Sequence, residues 1–300
     1  MTANYKVSKS EYFLNPYPHI VKDNIFSNEI LSSIKNYWPD DNLFNNEIEG
    51  IRLLDLHHSL KNEDKFLDRI INALKRKKKL NSHSLNFWEY FVKNDIHKIN
   101  LEIFKVFKKT LFAKFSIRNT PNIKFLNLMH ASNKFVEHHV HNHHYHNPNY
   151  TFTILIYIDN DGLDTPGTDI YEIKQPSKKR SIEYMTNFSI INPILNANST
   201  KLNKFKTIDF KQNRLFAFLD SPISYHGVKK TTLSKKFNKS SRKIVRLHCS
   251  YDDGTVKKLY KMNLKEYKKI RKIKNPKILT RTDNDIYKGV KYELENLFNE

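Results

Sequence analysis

The feature that most constrains this chain is a change of hydrophobic period at Pro121. From about 62 to 116 the apolar residues recur at helical spacing: Phe66, Ile70 and Leu74 form one stripe, and Ile103, Phe104, Phe107 and Leu111 another. Further upstream, an extended entry, Tyr17-Pro18-His19-Ile20-Val21, leads into a short helix. Ser27 is its N-cap, Ile30, Leu31, Ile34 and Tyr37 its apolar stripe, and Pro39 its stop. After Pro121 the pattern is that of strands. Segments 123–129, 151–158, 168–173, 206–210, 214–219 and 242–251 are short and rich in β-branched and aromatic residues. Turn residues such as Asn160-Asp161-Gly162 and Pro166-Gly167 separate them. Residues 175–204 are polar and rich in Ser, Asn and Lys, and read as a long loop or lid; 262–298 return to helical spacing. Helices, then strands, then helices again predict a single α+β domain. Its parts are an N-terminal strand and helices over 12–120, a jelly-roll core over 121–251, and basic C-terminal helices over 252–300.

Composition supports a folded chain. Hydrophobic residues make up 39% and aromatics 13%, enough for a sizeable core. No apolar run approaches the roughly 20 residues that span a bilayer. Met1 to Glu11 has no apolar h-region, so no secretory signal is expected. Cys249 is the only cysteine, which excludes an intrachain disulfide and fits a reducing, cytoplasmic setting. The formal charge of +21 favours anionic partners such as nucleotides, phosphorylated sugars or nucleic acid. The densest basic stretches, Lys75 to Lys79 and Lys257 to Lys274, fall on predicted helices, where a lysine run is ordinarily a solvated face. No nucleic-acid-binding motif accompanies the charge.

The chemistry concentrates in histidine. Six of the 14 histidines lie between His138 and His146. Imidazole is the commonest metal-binding side chain near neutral pH. Along an extended chain, residues two apart share a face, so His139 with His141, or His144 with His146, could reach one ion. The candidate for a further ligand is His226, which follows the apolar strand 214–219 and opens His226-Gly227-Val228. Arg242 begins the last strand sixteen residues later, and an arginine there can grip a carboxylate through two parallel hydrogen bonds. Each piece alone has a plainer reading: a histidine tract is often an exposed loop, and a lone histidine is more often structural. It is the order that points to metal binding: histidine pair, strand, Gly-Thr turn, strand, His-Gly-Val, strand beginning with Arg.

That order resembles the iron(II)/2-oxoglutarate-dependent oxygenases, especially prolyl-hydroxylase-like members of phage and marine-bacterial type. The resemblance covers most of residues 12–251. Asn15 to Phe26 looks like the family's N-terminal strand and helix start. Asn147-Pro148-Asn149-Tyr150 with Thr153 to Tyr157 looks like the segment after its His-x-Asp metal motif. Gly167 to Tyr171 resembles the Gly-Thr strand start, and Asn213 to Phe218 with His226-Gly227-Val228 the distal-histidine strand pair. The resemblance implies a double-stranded β-helix, cupin-like core with iron(II) and 2-oxoglutarate as cofactors. It makes His226 the distal iron ligand and Arg242 the residue holding 2-oxoglutarate, with Arg246 the alternative. An ungapped match sets His144 at the proximal histidine and His146 at the family's aspartate; the other register uses His139 and His141. In neither register does Asp or Glu stand two positions after the histidine, so the usual carboxylate ligand is replaced by histidine and the donors are all nitrogen.

The implied activity is hydroxylation of a small-molecule or peptide substrate, for which the positive charge favours an anionic one. The alternatives are a metal-binding jelly-roll protein without oxygenase activity and a basic nucleic-acid-binding protein.

Overall fold

A computed structural model of the chain describes residues 5–40, 43–48, 51–58, 82–110, 120–132, 139–141, 150–159, 167–173, 194–196, 202–220, 224–228, 241–252 and 255. Its strands fall into two antiparallel sheets. β5 (Asn122–Ser132), β7 (Tyr150–Asp159), β11 (Arg214–Leu219) and β13 (Ser241–Ser250) lie in the larger sheet. β6 (His139–His141), β8 (Thr168–Ile173), β10 (Leu202–Ile208) and β12 (Tyr225–Val228) lie in the smaller. The smaller sheet, which also holds β9 (Ile194–Asn196), runs β10-β8-β12-β6-β9. The larger sheet is extended by β1 (Tyr12–Phe13) and β2 (His19–Asp23) at one edge and by β4 (Ile51–His58) and β3 (Asn45–Ile48) at the other. It runs β1-β2-β11-β7-β13-β5-β4-β3. From β5 to β13 the chain crosses between the two antiparallel sheets at every step except β8 to β9 and β9 to β10, the arrangement of a jelly roll.

Two clusters of buried residues explain why β7 reads as an unbroken apolar run. Phe152, Ile154, Ile156 and Ile158 belong to one cluster, and Leu155 and Tyr157 to the other. A central strand buried on both faces loses the polar alternation of a half-exposed one. The first cluster is completed by helices: α1 (Asn28–Asn36), α2 (Ser82–Phe91) and α3 (His97–Thr110), the last two joined through a π-helical turn at Val92–Ile96. Leu31 and Ile34 of α1, Trp88 and Phe91 of α2, and Ile99, Ile103, Phe104 and Phe107 of α3 pack against this outer face. Ser27 caps α1 by accepting from the Ile30 amide at 3.4 Å. The helix ends at Asn36, two residues before the Trp38-Pro39 pair, because the residue preceding a proline avoids helical torsions. The second cluster, with Phe216, Phe218, Ile170 and Ile244, fills the space between the sheets.

The N-terminal segment is tied to the core at two points. Asn213, with φ 63°, turns the chain between β10 and β11; its side chain accepts from the Phe26 amide and donates to the Phe26 carbonyl, both at 2.9 Å. Tyr17 donates to the Tyr225 carbonyl at 2.9 Å, which sets the chain ahead of β2 against β12.

The structure departs from the sequence reading in several places. Residues read as loop include β9, and β10 begins at Leu202 rather than Lys206. The stripe Phe66, Ile70 and Leu74 and the helices expected over 262–298 lie outside the described residues. Among the described residues, no helix is long and apolar enough to cross a membrane.

Candidate active site

His226 lies on β12, and its neighbours in the sheet fix the direction it faces. It pairs with Ile170 of β8, a member of the cluster between the sheets, and opposite residues of antiparallel strands share a side. The imidazole is accordingly 3% exposed, with its ring centroid 4.4 Å from that of Phe218. His226 Nδ1 lies 3.1 Å from the Ser224 carbonyl. A carbonyl can only accept, so the ring carries a proton on Nδ1. That is the backbone restraint found in metal-bound histidines.

The same register joins His226 to the histidine tract. On its other side β12 pairs with β6, setting His226 opposite His141 and Val228 opposite His139. Positions 139, 141, 226 and 228 therefore fall on one side of the pleat. His144 and His146 lie outside the described residues. Among the described residues, no three His, Cys, Asp or Glu side chains are gathered as a metal cluster.

The larger sheet contributes a buried cation from β13. Arg242 is 3% exposed, and burial lowers its pKa to about 10, opposed by Tyr157, so it remains charged at neutral pH. Tyr157 and Thr168 hydroxyls are 2.7 Å apart, and Phe210 stacks on the tyrosine ring at 4.5 Å. Burial pushes the Tyr157 phenol up to about 12, against the lowering effects of Thr168 and Arg242, so both hydroxyls keep their protons. Thr168 and Ile170 are alternate residues of β8, which separates the Arg242–Tyr157–Thr168 end from the level of His226 by about 7 Å. Arg246 lies on the same side of β13 and pairs with Leu155, and of the two it is Arg242 whose charge acts on Tyr157.

No known protein-family profile matches this chain, and no curated protein sequence matches it. The solved structures it resembles include prolyl hydroxylases and iron(II)/2-oxoglutarate oxygenases. One is a prolyl hydroxylase from Trichoplax adhaerens in complex with a hypoxia-inducible-factor peptide, with TM-score 0.39 and 12% identity, covering 79% of this chain and 85% of that one. Another is a 2-oxoglutarate/iron(II) oxygenase-family oxidoreductase from Burkholderia pseudomallei, with TM-score 0.40 and 11% identity, covering 77% and 84%. A third is HygX from Streptomyces hygroscopicus with nickel and 2-oxoglutarate bound, with TM-score 0.35 and 8% identity, covering 78% and 83%.

The interior holds further polar groups to which sequence reasoning gave no role. Thr153 donates to Asp220 Oδ2 at 2.7 Å, and its oxygen lies 2.8 Å from His248 Nδ1. All three are buried. Burial pushes the Asp220 carboxyl up to about 7, with Thr153 and His226 opposing the shift. His19 on β2 is also buried, its Nδ1 2.8 Å from the Tyr17 carbonyl and its ring stacked on Phe13; burial lowers its pKa. Strand alternation carried a signal for two of these, since His248 shares a face with Arg242 and Thr153 with Tyr157.

Proposed function

We propose that this chain is an iron(II)/2-oxoglutarate-dependent oxygenase acting on a small-molecule or peptide substrate, for which the charge of +21 favours an anionic one. The observation that carries the reading is an interior in which a buried histidine with its Nδ1 proton committed, His226 of the smaller sheet, and a buried cation, Arg242 of the larger, are both enclosed.

The donor set fits both groups. Neutral imidazole suits iron(II), and the cross-strand register makes His141 the natural companion of His226, with His139 two residues along the same side. His144 and His146, the other candidate pair, lie outside the described residues. An all-nitrogen set carries no negative charge, so copper, zinc and nickel compete for it. For the cosubstrate, Arg242 offers a planar pair of donors to a carboxylate. Tyr157 and Thr168 have two hydroxyl protons and share one between themselves, which leaves a donor for the same carboxylate. Bound iron(II) and 2-oxoglutarate would supply oxidation by dioxygen of a substrate C–H bond, coupled to conversion of 2-oxoglutarate to succinate and carbon dioxide.

The chain's own part is to hold and to shield. Ser224 orients His226 through its carbonyl. Phe218 and Ile170 flank that imidazole and keep water from it. Phe210 backs the tyrosine that serves the carboxylate end. The loop or lid expected over 175–204 lies, apart from 194–196 and 202–204, outside the described residues.

A second reading, metal binding without oxygenation, is favoured by the absence of any Asp or Glu two positions after a histidine in the tract. Succinate release separates the two. Protein loaded with iron(II) under air, with ascorbate as the reductant in place of substrate, should convert 2-oxoglutarate to succinate, and His226→Ala should abolish the conversion. Tight zinc or copper binding with no succinate would establish the second reading instead.

A further inference from the structure

We propose that Lys206 is a specificity-determining residue: its ammonium group binds the carboxylate or phosphate of an anionic substrate where the edges of the two sheets meet. This rests on the oxygenase reading for the reaction, and on the strand register for the place. Lysines on an edge strand ordinarily point to solvent and keep other chains away. Lys206 is turned the other way by a β-bulge. β10 pairs regularly with β8 from Leu202 opposite Ile173 to Lys204 opposite Tyr171, and again from Lys206 opposite Ile170 to Ile208 opposite Thr168. Phe205 is the extra residue between the two runs. In a regular strand residues 204 and 206 would share a face. The extra residue separates them, and a bulge is a recurrent way to re-aim a side chain beside a functional site. Lys204 takes the outer face, where its Nζ reaches Asp169 Oδ1 at 2.8 Å. Lys206 takes the face of Ile170 and Ile208, both members of the cluster between the sheets.

That face also carries the histidines. His141, His226, Ile170 and Lys206 form one row across β6, β12, β8 and β10. Two strand spacings, about 10 Å, separate the backbones of His226 and Lys206. Thr168, at the Arg242 end, pairs with Ile208 instead, one side-chain repeat along β10. An anion on Lys206 is therefore a different one from a carboxylate held at Arg242. The lysine reaches across the slot between the sheets. Its Nζ lies 5.4 Å from the ring centroid of Phe13 on β1, the edge strand of the larger sheet. The Phe13 ring stacks on His19 at 5.1 Å and is 37% exposed. A cation over an aromatic face is oriented while its charge remains available to a ligand. Among the described residues, Lys204 and Lys211 pair with the carboxylates of Asp169 and Asp23, whereas Lys206 rests on a ring. Leu14, next to Phe13, and Phe205, next to Lys206, are exposed apolar side chains. The chemistry that fits is an anionic group on an apolar body.

Fluorine NMR of small probes titrated into the full chain tests this. Para-fluorophenyl phosphate and para-fluorophenylacetate supply the two kinds of anion, and para-fluorobenzyl alcohol a neutral counterpart. The wild type should bind at least one anion more tightly than the alcohol, and the tighter of the two names the anion. Lys206→Gln should weaken that binding about three- to tenfold, the range for a charge-assisted hydrogen bond at a partly exposed site. Lys206→Arg should retain it, and Lys206→Glu should transfer the preference to para-fluorobenzylamine. Lys211→Gln removes the same charge from the same end of the sheets and should leave anion binding unchanged. Cobalt(II) bound at the histidines should speed relaxation of the bound probe in wild type, and His226→Ala should remove that effect. Anion binding indifferent to Lys206→Gln, an equal loss in Lys211→Gln, or bound cobalt without effect on the probe would overturn the proposal. Failure of the oxygenase reading would show separately, as missing succinate with Lys206-dependent anion binding intact.

Discussion

Two buried imidazoles, His19 and His226, commit their Nδ1 proton to the backbone carbonyl two residues earlier, and a third, His248, has its Nδ1 2.8 Å from the Thr153 hydroxyl. Each ring is thereby fixed before any ligand arrives, which is the restraint a metal or substrate site needs. Asp220, at the end of the His248 chain, is the costly member. Burial lifts its carboxyl from the ordinary range to about 7, so the folded state holds that proton more tightly than the unfolded chain. Between about pH 4 and pH 7 the native state therefore binds more protons, and stability falls as pH rises through that window. Asp220→Asn removes the titration. Thermal melts of the metal-free variant should show a gain over wild type at mildly alkaline pH and none at about pH 4. Parallel melting curves for the two proteins would contradict the burial of an ionising Asp220.

At the scale of elements, β8 and β10 show how a single glycine sets a pairing. A Cβ on Gly167 would lie 1.6 Å from the Ile208 carbonyl oxygen, so β10 closes on the start of β8 only because no side chain stands there. Gly167→Ala should destabilise the fold by about 1–3 kcal/mol or more, read as a lowered denaturation midpoint. An unchanged midpoint would mean that the two strands are not this close. The same pair of strands shows what could be read in the sequence. β8 and β11 were legible at their bounds, 168–173 and 214–219, because turn residues flank apolar runs. β10 starts four residues before its reading because residues 203–206 are polar or exposed, the dress of an edge strand that must resist pairing with another chain. β6 was hidden altogether: His139-Val140-His141 looks like a metal tract, and nothing in its composition announces a strand.

For the whole molecule, the jelly-roll order explains why part of the site was legible and part was not. His226 and Arg242 could be singled out because they stand at strand starts in a recognisable succession. Tyr157, Thr168, Thr153 and His248 become partners only when non-consecutive strands are stacked. The succession of segments does not say that β7 lies between β11 and β13, or that Thr168 of the smaller sheet meets Tyr157 of the larger. The central claim is that one interior holds a metal at His226 and the far carboxylate of 2-oxoglutarate at Arg242. Anaerobic titration of the metal-stripped protein with iron(II) and then 2-oxoglutarate tests it most directly, through the visible charge-transfer absorption that arises only when both share one site. The account predicts the band in the wild type, its loss in His226→Ala, and at least a tenfold weaker 2-oxoglutarate dependence in Arg242→Gln, about the cost of one charge-assisted hydrogen bond. No band in a wild-type protein that has taken up iron, or a band unaffected by either substitution, would contradict it.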